Sequence, residues 1–82
     1  GNAKVSLKPK VVNLDKLNVF KAKTVVDITK LLEEKIVSLK DAKKGIKILG
    51  TGEIKSILTV KLPVSLAARK KIEKAGGKVE HV

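Results

Sequence analysis

What the chain lacks narrows its chemistry first. Its 82 residues contain no cysteine, which excludes a disulfide framework and a thiolate metal site. One histidine, His81, and scattered carboxylates make neither a zinc motif nor the oxygen-ligand loop of a calcium site. His81 also stands at no spacing that would make it the base for Ser56 or Ser65, so it reads as a surface or edge residue. Phe20 is the single aromatic residue. Modules that hold single-stranded nucleic acid stack bases on aromatic platforms, and one phenylalanine is no platform. Phe20 therefore reads as a plug in the core. Arg69 is the sole arginine, which leaves little capacity for bidentate contacts to guanine. No apolar run approaches the roughly 20 residues of a membrane span, and the N-terminus shows no signal-peptide core. These absences predict a soluble intracellular protein with no enzymatic activity, no cofactor, no metal, no small-molecule substrate and no membrane partner.

Lysine is what the chain has in excess. Nineteen basic residues against eight acidic ones give a formal charge of +11 and a pI near 10.1. Such an imbalance costs self-repulsion and points to an anionic partner, nucleic acid first. The excess is spread over the chain. Residues 1–45 carry +6 and residues 46–82 carry +5, which fits a folded domain basic over much of its surface. With aromatics and arginine so scarce, recognition falls to lysine contacts with phosphates and with the shape of folded RNA. A hydrophobic share of 43% supports a small aliphatic core. A single domain of this size hides only about 60–65% of the surface of its unfolded chain.

The stretch Lys47–Gly77 organises the sequence. Ile48 and Leu49 form a short apolar strand that runs into Gly50-Thr51-Gly52, a tight reversal. A second strand follows over Ile57–Leu62, with Leu58, Val60 and Leu62 on one face and Thr59 and Lys61 on the other. The two strands read as a hairpin that Pro63 ends. Ser65 stands where an N-cap belongs, and Ala68, Ile72 and Ala75 share one face of the helix that follows. Lys70 and Lys74 point away from that face. Gly76 closes the helix, and Lys78–Val82 forms a last strand pairing back into the sheet.

Upstream, residues 1–10 read as a basic lead-in, and residues 11–82 as the globular domain. Val11–Leu14 is a short strand, Asp15–Asn18 a turn or a single helical turn carrying Leu17, and Val19 with Phe20 anchors the next loop to the core. Asp27 caps a helix whose apolar stripe is Ile28, Leu31, Leu32 and Ile36, with Val26 and Leu31 at the spacing of a hydrophobic staple. Glu33 and Glu34 lie off the stripe as surface carboxylates. Val37–Gly45 reads as a polar, lysine-rich connection. A strand before each capped helix makes a faint internal repeat, with Asp27 and Ser65 at corresponding points.

The ordered set Lys47, Ile48, Leu49, Gly50, Gly52, Glu53, Ser65, Ala68, Ile72, Gly76 and Gly77 resembles the signature of a ribosomal protein family. This is the L-fifteen and eighteen-e family of the large subunit. Val12, Asn13, Leu14 and Asp15 match the opening of its C-terminal globular domain, so the resemblance covers residues 11–82. It implies an α/β fold: a small single domain forming an irregular β-β-α superhelix with two main helices and short strands. Bacterial members carry a Gly-rich basic N-terminal extension, so the chain is expected to be an excised globular domain or a minimal form. The resemblance implies a structural constituent of the large ribosomal subunit, cytoplasmic at the ribosome. Its expected partners are large-subunit ribosomal RNA and neighbouring ribosomal proteins, and it is expected to be a monomer in isolation. The residues expected to meet RNA phosphates are Lys8, Lys10, Lys55, Lys61, Arg69, Lys70, Lys71 and Lys74. The alternative is a protein-interaction or assembly module that binds through Leu62–Leu66 and uses its lysines for solubility.

Overall fold

Val12, Leu14, Leu17 and Phe20 lead the chain into its core. The computed structural model describes residues 8–80; most of the basic lead-in, and His81 with Val82, lie outside the described residues. Strand β1, Lys10–Asn13, runs directly into a 3-10 helix, Leu14–Val19. Three residues per turn stack i upon i+3, which puts Leu14, Leu17 and Phe20 in one buried row. Val19 falls outside that row and is 60% exposed, so Phe20 anchors this segment without it.

Strand β2, Val25–Val26, precedes helix α1, Ile28–Glu33. Asp27 caps α1 as expected, its carboxylate accepting from the Lys30 N–H at 3.0 Å. The helix is shorter than its apolar stripe suggests. Lys35 adopts a left-handed conformation with φ at 59°. Its N–H donates to the Leu32 carbonyl, and the Ile36 N–H to that of Leu31, at 3.0 and 2.9 Å. This is the Schellman ending, with lysine where glycine is usual. Ile36 still packs against the core, from beyond the helix.

The lysine-rich stretch after Val37 is no simple connection: Leu39–Lys44 forms a second helix, α2. The Ser38 hydroxyl accepts from the Asp41 N–H, and the Asp41 carboxylate accepts from the Ser38 N–H, each at 3.1 Å. This reciprocal box holds a helix that buries none of its own residues. The Asp41 carboxyl is held below its ordinary range, first by the Ser38 backbone N–H. Slight desolvation opposes, and the Ser38 hydroxyl with the fields of Lys10 and Lys44 assists. A depressed folded pKa contributes stability above the unfolded value and loses it as pH falls through the folded one. NMR titration should therefore show α2 intact at neutral pH and fraying only below the ordinary aspartate value of 3.8.

Strands β3, Ile46–Leu49, and β4, Thr59–Val60, belong to different sheets, not to one hairpin. β3 runs parallel to β1, with Lys10 opposite Ile46 and Asn13 opposite Leu49. β4 runs parallel to β2, with Val25 opposite Thr59, and on its other side to strand β5, Lys78–Val79. Strands β3 and β4 of the C-terminal half thus each pair with a counterpart in the N-terminal half. The faint sequence repeat is a stacking of two β-β-α units, the expected irregular superhelix. Leu58, Val60 and Leu62 are buried as predicted. Helix α3, Leu66–Lys74, completes the second unit, and the Ser65 hydroxyl caps it from 3.1 Å off the Ala68 N–H. It ends as α1 does. The Gly76 N–H donates to Glu73 and the Gly77 N–H to Ile72, both at 2.9 Å, with Gly76 at φ 98°.

Candidate nucleic-acid interface

The cations named from sequence divide by what they touch. Lys8 and Lys10 are exposed at the entry to β1, and Lys61 is exposed just past β4. Lys55 is exposed on the Gly50–Leu58 segment, which is held down rather than free. The Asn18 side chain clips that segment at two points. Its amide donates to the Glu53 carbonyl at 2.8 Å, and its oxygen accepts from the Lys55 N–H at 2.9 Å. On α3, Lys70 and Lys74 are exposed, and Lys74 borders a hollow lined by Glu53, Ile54, Lys71 and Ala75. Among the described residues, no ion pair engages Lys8, Lys10, Lys55, Lys61, Lys70 or Lys74.

Arg69 and Lys71 have intramolecular partners. The Arg69 Nε donates to the Glu73 carboxylate at 3.2 Å, a solvated pair one turn along the helix that contributes little to stability. Lys71 is engaged more deeply. Its Nζ donates to the Gly50 carbonyl at 2.8 Å and the Gly52 carbonyl at 2.7 Å, with the Glu53 carboxylate at 3.4 Å. An ammonium has three donors, and all three have acceptors here. Lys71 fastens the glycine turn to α3. The turn sits so close that a Cβ at Gly50 would lie 2.7 Å from the Ala68 nitrogen. Replacing Lys71 with methionine should lower stability by about 1–2 kcal/mol, since two carbonyls lose a charged donor that solvent replaces in part. Thermal denaturation of K71M beside K70M checks this, with K70M expected to change little.

Sequence reasoning passed over Lys16 and Lys35. With Lys10 they line a groove of about 350 Å³ whose other walls are Val11, Val12, Asn13 and Ile36. The only sequence signal for them is the lysine excess of residues 1–45. Elsewhere, Lys78 holds the Glu80 carboxyl below its ordinary range by a 2.9 Å ion pair, with Lys61 adding a weaker field. The segment offered for protein contact, Leu62–Leu66, is largely used by the fold. Leu62 is buried, and Ile48 bonds both the Pro63 carbonyl and the Ser65 N–H. Leu66 alone remains well exposed. Among the described residues no group of acidic, histidine or cysteine side chains could hold a metal, and no helix is long and apolar enough to cross a membrane.

The sequence matches, over residues 11–80, the profile of the family described as ribosomal proteins 50S-L15 and 50S-L18e with their 60S counterpart. The chain belongs to that family. It is a family of ribosomal proteins, not of enzymes. The large ribosomal subunit protein uL15 of Coprothermobacter proteolyticus is 52% identical over 73 residues, 88% of this chain and 48% of that protein. The chain therefore spans about half the length of that relative.

Proposed function

We propose that the chain is a structural constituent of the large ribosomal subunit that binds large-subunit ribosomal RNA through lysine–phosphate contacts. The observation that carries this reading is membership of a ribosomal protein family by a chain whose exposed lysines, among the described residues, mostly lack carboxylate partners. Lys8, Lys10, Lys55, Lys61, Lys70 and Lys74 neutralise backbone phosphates, and Arg69 joins them by releasing a weak surface pair. Lys71 acts at one remove, by holding the glycine turn against α3. Shape carries the specificity, because a chain with one aromatic residue and one arginine has little to read base edges with. The protein works at the cytoplasmic ribosome beside neighbouring ribosomal proteins, is a monomer in isolation, and needs no cofactor.

Competition binding tests the reading. A labelled fragment of large-subunit ribosomal RNA is bound to the 82-residue chain and challenged with duplex DNA and with unrelated structured RNA. The expected result is displacement only at a large excess of either competitor. Equal displacement by duplex DNA would make the chain a general nucleic-acid neutraliser, and absence of binding would remove RNA from the account.

A further inference from the structure

We infer that the groove along β1 is a binding site for the RNA sugar–phosphate backbone, built from Lys10, Lys16, Lys35 and the outer edge of the strand. This inference rests on the ribosomal RNA reading above and gives it an address. The groove is lined by all four residues of β1 and by none of β3, which places it along the unpaired side of the strand. Lys10 donates its N–H to the Gly45 carbonyl, on the β3 side. Backbone groups alternate along a strand, so the N–H groups of Val11 and Asn13 turn outward. Three lysines thus line one hollow beside two outward backbone donors, with the Val11 carbonyl turned the same way, and the lining contains no carboxylate. Asp41, whose carboxylate is bound to Ser38, acts on Lys10 only through its field.

The conformation of Lys35 is the second, independent observation. At φ 59° it occupies the left-handed position that closes α1, where the equivalent position closing α3 is Gly76. A side chain there is strained, and glycine or asparagine would relieve it. A fold that keeps lysine at such a position, with its side chain lining a cationic groove, has the pattern of strain retained at a functional site. Lys23 is also left-handed, at φ 70°, but it lines neither hollow. The charge of the groove favours a polyanion over an acidic peptide strand, because three lysines flank an edge only four residues long.

The test compares K10Q/K16Q/K35N with K21Q/K30Q/K78Q, which removes the same charge elsewhere. With a large-subunit ribosomal RNA fragment, the groove variant should lose about a hundred-fold in affinity at about 0.1 M salt. Its log–log salt slope should fall by about 2.7, close to 0.9 per lost contact. The control should lose only a few-fold. Lys35→Asn alone should bind RNA more weakly while melting no lower than the parent chain, a combination unfolding cannot produce. In the parent chain, the Val11 and Asn13 amide resonances should shift on RNA addition. Equal losses in the two triple variants, with parental binding intact, would overturn the groove and leave the RNA reading standing. No salt-dependent binding by the parent chain would sink that reading instead. A groove variant that keeps its RNA affinity but loses a glutamate-rich peptide would make the occupant a peptide. One that keeps its RNA affinity and self-associates would reduce the lysines to guards of a bare strand edge.

Discussion

Gly77→Ala should destabilise the chain by about 3 kcal/mol or more, a large part of the roughly 4–12 kcal/mol expected for a domain of this length. A Cβ at Gly77 would overlap the Leu58 carbonyl oxygen and stand 2.9 Å from the Leu58 nitrogen and 3.2 Å from Ile72 Cγ2. Two of these are backbone atoms on the approach to β4 and the third is the floor of α3, so no flexible side-chain end can give way. Relief requires β5 to move off β4. That would break the bonds from the Lys78 N–H to Leu58 and from the Glu80 N–H to Val60, at 3.0 and 2.8 Å. At about 4–8 °C per kcal/mol, the melting temperature should fall by roughly 12–24 °C. Gly76→Ala is the informative comparison. That position carries a positive φ of 98°, but its nearest neighbour would be Ile57 Cγ1 at 3.3 Å, on an exposed and flexible side chain. Its cost should be the backbone term alone, about 1–2 kcal/mol. A milder effect at Gly77 than at Gly76 would contradict the close approach of β5 to the end of α3.

The second large effect is on binding. If the six unpaired lysines named from sequence each meet a phosphate, affinity for ribosomal RNA should fall about a thousand-fold between roughly 50 and 200 mM salt. Lys16 and Lys35, added by the groove, would make the decline steeper. Counterion release is the physical cause, since each neutralised phosphate returns an ion to solution. A protein-interaction surface centred on Leu66 would predict a nearly flat curve. Titration of a labelled RNA fragment across the salt range separates the two, and a decline of less than about ten-fold would contradict phosphate neutralisation as the main source of affinity.

Much of the architecture was legible because its causes are local. Asp27 and Ser65 each cap a helix through an oxygen three residues from the N–H it serves, and the core positions Leu58, Val60 and Leu62 follow a two-residue period. The pairing of strands was not legible. β2 and β4 are two residues long, and they pair across the two halves of the chain, so adjacency suggested a hairpin where the fold makes a parallel stack. Helix α2 was hidden for a different reason. It buries none of its residues, so it leaves no apolar period, and its box carries aspartate where glutamate or glutamine is the familiar signal. The candidate site shows the same division. α3 displays Lys70 and Lys74 by simple periodicity, but its neighbour Lys71 bends back to the Gly50 and Gly52 carbonyls, a tertiary contact no spacing reveals. Lys16 and Lys35 reach the β1 groove from a 3-10 turn and a helix ending, two local shapes that a 3.6-residue period does not describe.

The most direct test of the account reads every lysine in one experiment. The chain is treated briefly with an amine-acetylating reagent, free and bound to a large-subunit ribosomal RNA fragment, and modification at each lysine is followed by mass spectrometry. The account predicts that RNA protects Lys8, Lys10, Lys16, Lys35, Lys55, Lys61, Lys70 and Lys74. It also predicts that Lys71 reacts slowly in both states, because its ammonium is already held by Gly50, Gly52 and Glu53. Uniform protection of all lysines, or rapid acetylation of Lys71 in the free chain, would contradict the division between lysines that face RNA and the lysine that fastens the fold.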